Sequence, residues 1–172
     1  MPATFRHFAW SDIPAITAIY RHAVETSVAT FDTEAPGETF MADKFGHMLE
    51  LGHPVIIAEQ DARTIGYAYA STYRPRPAYR FTAEDSIYLA PEAQGQGVAT
   101  EAARALLAFG FEDVGLHRIY ARCDARNAAS ARVMQRLGMR EEAHLREHAH
   151  FKGRWDEELI YAILDREWLA AS

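Results

Sequence analysis

Read from its amino terminus, the chain alternates between a two-residue and a roughly 3.6-residue recurrence of apolar positions, and each change of period marks an element boundary. "TFRHFAW" alternates and predicts a strand. Ser11 and Asp12 then offer caps for a helix reaching about Glu25, with Ile13, Ile16, Ala18, Ile19 and Ala23 along its apolar side. After the polar loop "TFDTEAPGE", a second helix is predicted from about Glu38 to Leu51, ended by Gly52. "PVIIAEQ" and "TIGYAYASTY", joined by "DAR", predict an antiparallel hairpin. The prolines of "RPRPAYR" cannot donate to a ladder, so that stretch is a loop. Beyond it the pattern predicts a strand in "FTAEDSIYLA", a helix in "VATEAARALLAFGFEDV", a strand in "HRIYARCD" and a helix in "NAASARVMQRLG". "MREEAHLREHAHF" and "DEELIYAIL" close the chain as a strand pair across the turn "KGRW". Strands followed by helices in this order predict an α/β fold with a mixed, partly parallel central sheet flanked by helices.

Composition narrows the picture without changing it. At 172 residues, 49% hydrophobic and 24% charged, residues 1–172 are expected to form one domain with a substantial core. No stretch approaches the roughly 20 apolar residues of a membrane span. The start "MPATFRHFAW" lacks the basic-then-apolar pattern of a secretory signal, so a cytoplasmic protein is expected. A net charge of −6 argues against nucleic acid as the main partner, and an anionic ligand would need a local binding device. The single cysteine, Cys123, has no Cys or His neighbour at metal-ligand spacing and is expected to be a buried strand residue. His144, His148 and His150 would share one face of a strand with Arg146 and Lys152. Cations beside a metal are unfavourable, so no metal is expected.

The most suggestive local feature is Gln94-Gly95-Gln96-Gly97-Val98-Ala99, where a strand gives way to a helix. Free backbone N–H groups and the positive end of the helix dipole can hold a phosphate there, and glycines let the backbone approach it. The same residues also suit a plain tight turn. A Walker loop is excluded by the missing Gly-Lys-Ser/Thr, and a dinucleotide fingerprint by the missing third glycine.

These residues carry a resemblance. "QGQGVA" is similar to the Gln/Arg-x-x-Gly-x-Gly/Ala signature of the GNAT superfamily of acyl-coenzyme A dependent N-acyltransferases, and "NAASARVMQRLGM" to that family's Asn-x-x-Ser/Ala…Leu-Gly-Phe helix. The resemblance implies the GNAT fold and acetyl-CoA as cosubstrate. The backbone of Gln94, Gly95, Gln96, Gly97, Val98, Ala99 and Thr100 would hold the pyrophosphate. The main chain of Ile87, Tyr88 and Leu89 would pair with the pantetheine arm as a strand does, with Asn127 and Ser130 beside the arm and thiol.

Within that family the two halves point in different directions. "AVETSVATFDTEAP", "GYAYASTYRPRPAY" and "AEDSIYL" resemble phosphinothricin or methionine sulfoximine N-acetyltransferases, whereas the chain from "VATEAARALL" onward resembles the RimJ/RimL ribosomal-protein acetyltransferases. A recombinant chain with a seam near residues 87–94 would account for the change, as would one lineage mixing both characters.

The first-half resemblance implies a small amino-acid-like amine as substrate and Glu84 as general base, because the amine must lose a proton to attack the thioester. Asp85 is the adjacent alternative, although strand alternation sends it to the other face. A main-chain N–H near Leu89 would stabilise the oxyanion. Met134 stands where many relatives carry a tyrosine that protonates the leaving thiolate, which leaves Ser130 or a water for that step. Phe31, Thr33 and Glu34 in the first long loop, with Arg74, Arg76, Tyr79 and Arg80 ahead of Glu84, are the candidates for substrate binding, the arginines through paired donors to anionic groups. A homodimer is implied as well. Two other functions stay open: a protein N-terminal acetyltransferase and a non-catalytic acyl-CoA sensor.

Overall fold

In the computed structural model, which describes residues 2–171, seven strands among the described residues join one sheet. They are β1 (Thr4–His7), β2 (Val55–Gln60), β3 (Arg63–Thr72), β4 (Thr82–Leu89), β5 (Arg118–Asp124), β6 (Arg140–Phe151) and β7 (Arg154–Leu164), in the order β1-β2-β3-β4-β5-β7-β6. Every neighbouring pair is antiparallel except β4 and β5. The helices are α1 (Ile13–Thr26), α2 (Glu38–Glu50), α3 (Val98–Ala108), α4 (Ala128–Arg136) and α5 (Asp165–Ala171). The mixed α/β architecture is as expected, with parallel pairing confined to one pair of strands. None of these helices is long and apolar enough to cross a membrane.

The sheet has a core on each face. On one, Ala102, Ala103, Leu106 and Leu107 of α3 pack with Ile119, Ala121 and Cys123 of β5, Met134 of α4 and Trp168 of α5. The small Ala102 and Ala103 let α3 lie close on the strands. On the other face, Ile16 and Tyr20 of α1 and Met41 and Phe45 of α2 cover Val55, Ile57, Tyr67 and Tyr69. Full burial of such side chains contributes about 1.5–3 kcal/mol each.

Several expected details differ. Ala18 is exposed, and Tyr20 and Val24 complete the buried stripe of α1 instead. Asp12 does not cap α1 with its side chain. Its carboxylate receives the Arg6 guanidinium at 2.8 Å on each oxygen and the Ala9 N–H at 2.8 Å. Burial opposes ionisation there, but these donors more than offset it and hold the carboxyl below its ordinary value. The third predicted helix changes at Phe109–Asp113 to a π-type turn. The last hairpin turns at Lys152 and Gly153, both at positive φ, so Arg154 and Trp155 belong to β7. The short α5 was not anticipated.

The three histidines of β6 also do not share a face. Arg146, Glu147 and His148 bulge out of register between Leu145 and Ala149, with Glu147 at φ 48°. His144 pairs with Glu157 at 2.5 Å, and His150 packs edge-on against Trp155. His144 and His150, opposite Leu159 and Trp155, keep one face across the two-residue insertion, whereas His148 lies within the bulge itself.

Candidate active site

The site begins where β4 and β5 part. They pair only at Thr82↔Arg118, Ala83↔Ile119 and Glu84↔Tyr120. Past that rung β4 stays with β3 as far as Leu89, while β5 stays with β7 as far as Asp124. Residues 85–89 therefore have a ladder partner on one side and a free edge on the other, which can accept an extended amide-bearing ligand as an added strand.

The far end of this slot is built to receive an anion. Gly97 precedes α3 at φ 84°, Gly95 lies at φ 74°, and a Cβ added to either meets nothing within 4 Å. No side chain caps α3, so its first amides stay open beside the positive end of the helix dipole. Gln96 is tied down by its side-chain amide, which donates to Glu92 O at 2.6 Å. Both glycines are needed for positive φ, and both leave the space beside them empty.

Across the slot, Asn127 Oδ1 accepts from Ser130 N at 3.1 Å and so caps α4. A clamp invisible to local sequence reading fixes this turn. Asp124 and Asp156 are buried, and Arg126 Nη2 reaches an oxygen of each at 2.7 Å. Asn127 N donates to Asp124 O at 2.8 Å. Burial works against Asp124 ionisation, but the Arg126 guanidinium more than offsets it and holds the carboxyl below its ordinary value.

On the opposite face of the sheet lies an open cleft of about 720 Å³. Glu84 stands in it beside Tyr73, Arg74, Tyr79 and Tyr120. Arg122 Nε donates to Glu84 Oε1 at 2.7 Å, and Arg122 Nη1 lies 3.7 Å from the buried Glu158. Tyr73 packs edge-on against both Tyr79 and Tyr120. Burial, then the Glu84 charge, raises the Tyr120 hydroxyl well above its ordinary value. The Arg74 guanidinium lies 5.0 and 5.5 Å from the Tyr73 and Tyr79 ring centres and has no acidic partner among the described residues.

The remaining expected substrate residues are spread out. Arg76 is exposed and does not line the cleft. Arg80 is also exposed, its guanidinium over the Phe81 ring. Arg118 and Arg122, from β5, line the cleft in their stead, Arg118 forked to Glu142 at 2.9 and 2.5 Å. Their strand alternation with Tyr120 was readable in "RIYARCD", but not the face it would occupy. Phe31 packs edge-on against Phe151 at 5.7 Å. The loop carrying it is held from two sides, by Tyr20 bonding Thr30 and Asp32, and by Lys152 Nζ donating to Val24 O and Ser27 O at 3.0 Å. Among the described residues no group of three or more His, Cys, Asp or Glu side chains is placed to hold a metal ion.

Comparison with known proteins agrees with this geometry. Residues 3–140 match the model of the acetyltransferase (GNAT) domain. A phosphinothricin N-acetyltransferase of Alcaligenes faecalis is 54% identical over 87 residues, which is 51% of this chain and 44% of that protein. An L-methionine sulfoximine/L-methionine sulfone acetyltransferase of Pseudomonas paraeruginosa is 30% identical over 90% of both chains. The crystal structure of a phosphinothricin acetyltransferase from Sinorhizobium meliloti in complex with acetyl-CoA superimposes with a TM-score of 0.91 at 33% identity, covering 95% of this chain and 89% of that one.

Proposed function

Because the chain belongs to the GNAT acetyltransferase family, we propose that it transfers the acetyl group of acetyl-CoA to the amine of a small amino-acid-like substrate of the phosphinothricin or methionine sulfoximine and sulfone type. The observation that carries this reading is the rung Glu84↔Tyr120. It ends the β4–β5 ladder with a slot on one side of the sheet and a carboxylate in a cleft on the other.

The slot fits coenzyme A. The open amides of residues 97–100 and the empty space at Gly95 and Gly97 suit a pyrophosphate, and the free edge at Ile87, Tyr88 and Leu89 suits the amides of pantetheine. Asn127 and Ser130 border the arm. Gly97→Ala is expected to cost roughly 1–2 kcal/mol through its left-handed φ. Its methyl group would fill the pyrophosphate space, so calorimetry should show weaker acetyl-CoA binding alongside a lower melting temperature.

In the cleft, Glu84 takes the proton of the attacking amine, and Arg122 holds its carboxylate in place. A main-chain N–H of β4 near Leu89 donates to the oxyanion of the tetrahedral intermediate. Arg74, free of an acidic partner, binds the substrate carboxylate, with Tyr79 and Tyr73 shaping the space around it. Arg74→Ala is accordingly expected to raise the amine KM about tenfold or more, and Arg76→Ala to change it little. Equal effects would move recognition out of the cleft.

The deciding experiment is thiol release from acetyl-CoA against amino acids, phosphinothricin, methionine sulfone and sulfoximine, polyamines and short peptides. Preference for peptides would instead support protein N-terminal acetylation, and silence towards every amine an acyl-CoA sensor. A homodimer, with a light-scattering mass near twice 19.4 kDa, belongs to the same proposal. So does a seam near residues 87–94. A 54% match confined to half the chain, beside about 30% over nearly all of it, supports such a seam. It fails if residues 1–86 and 95–172, compared separately, return the same nearest subfamily.

A further inference from the structure

Glu84 faces the cleft, and the next residue faces the slot. Asp85 is the first residue of β4 beyond its last rung with β5. Its neighbours on the same face, Ala83 and Ile87, pack into the cluster of Ala102, Ala103, Leu106, Met134 and Cys123. Among the described residues the Asp85 carboxyl has no hydrogen bond and no ion pair. Asp85 as a whole residue is only partly buried, and it lies on the stretch of β4 that has no partner on its β5 side.

Few titratable groups face it. Cys123 comes from β5, its thiol pushed up to about 11 by burial and by Asp124, Glu158 and Glu141. Tyr161 of β7 borders Cys123, and Glu84 adjoins Asp85 on β4. From α3 and α4 the packed residues Ala102, Ala103, Leu106 and Met134 are uncharged. Burial, with the Glu84 charge, pushes the Asp85 carboxyl up to about 7, so it is substantially protonated at neutral pH. An ordinary aspartate holds a proton in only about one molecule in a thousand there.

The proposed binding mode fixes the direction of the coenzyme. With its pyrophosphate at α3 and its arm running from Leu89 back to Ile87, the sulfur arrives where the ladder ends, beside Asp85. We propose that Asp85 donates the proton to the departing thiolate, a step for which Met134 offers no group. As the tetrahedral intermediate collapses, the C–S bond breaks and its electron pair passes to sulfur, which takes the Asp85 proton. The amine proton has gone to Glu84. After product release Glu84 gives that proton to solvent and Asp85 recovers one from it, so the cycle balances. Two adjacent carboxyls in opposed environments thus divide the acid and base work.

This inference rests on the proposed acetyl transfer, and Asp85→Asn tests it separately. The amide keeps the shape and loses the acid. At pH 6.5 the variant is expected to bind acetyl-CoA within about threefold of wild type and to turn over at least about tenfold more slowly. The kcat ratio of wild type to variant should shrink as pH rises through 7 to 9, because the wild type loses its proton while amine ionisation cancels in the ratio. Equal kcat values, a ratio independent of pH, or a folded variant that no longer binds acetyl-CoA would overturn the donor role and leave acetyl transfer standing. A wild-type protein that binds acetyl-CoA but releases no thiol with any amine overturns both. Should the variant not fold, wild-type kcat with an amine of low pKa must itself decline above pH 7, and a flat profile overturns the proposal.

Discussion

Glu84→Gln is expected to lower kcat at pH 7 by about 10²- to 10³-fold while leaving acetyl-CoA affinity within about twofold. The effect is large because the attacking amine must be neutral. A lysine-like amine with pKa about 10.4 costs roughly 4–5 kcal/mol to deprotonate at pH 7, against about 1 for a peptide amino terminus. Glutamine keeps the side-chain oxygen that receives Arg122 Nε, so the cleft keeps its shape and only proton acceptance is lost. The slot proposed for the coenzyme lies on the other face of the sheet, which is why its affinity should hold. Steady-state kinetics paired with calorimetry decides the matter, and undiminished turnover near neutral pH would remove Glu84 from the mechanism. The loss should also ease as pH rises towards the amine pKa, since solvent then supplies the neutral amine.

Asp85→Asn is expected to stabilise the free protein at pH 8 by on the order of 2–3 kcal/mol, and to leave it nearly unchanged near pH 4. In the fold the carboxyl is raised to about 7 from its ordinary 3.8, chiefly by burial. The native state therefore holds a proton that the unfolded chain releases. Stability is complete below about pH 4, falls as pH rises through the folded value near 7, and stays low above it. Asparagine cannot ionise and escapes this loss. Solvent in the slot screens part of the penalty, which is why the expected gain is smaller than the full shift implies. For a chain of this size the gain corresponds to roughly 4–12 °C in melting temperature. Scanning calorimetry of both proteins at pH 4 and pH 8 measures it, and parallel pH profiles would mean that the carboxyl does not sense its burial. If Asp85 is the proposed proton donor, its cost to the stability of the empty protein is the exchange between activity and stability expected at an active site.

The backbone conformations at the candidate anchoring positions were legible because they are local. Gly95 and Gly97 announce a positive-φ turn before a helix, and the structure places them at 74° and 84° with open space beside them. Asn127 opens the helix predicted in "NAASARVMQRLG", and its side chain caps that helix. Glu84 and Asp85 could be assigned to opposite faces from alternation alone. Arginine was the least legible residue. "RPRPAYR" brings Arg74, Arg76 and Arg80 together in sequence, yet only Arg74 lines the cleft. Arg118 and Arg122 reach it because β5 runs beside β4, a pairing no local pattern contains. His148 of β6 departs from its expected face for a related reason. A bulge is a property of two strands in register, so one strand cannot show where it falls.

By itself, the sequence determined the order of the seven strands and the first four helices, most of their apolar faces and the turn conformations that favour glycine. All of these arise within a few residues of one another, through backbone sterics and the periodicity of burial. Only the tertiary structure decided where β4 and β5 separate, which guanidinium meets Glu84, and that Asp124 and Asp156 share Arg126. Those depend on strands distant in the chain meeting in one register. The same meeting leaves Asp85 on the edge of the slot, where burial alters its proton affinity.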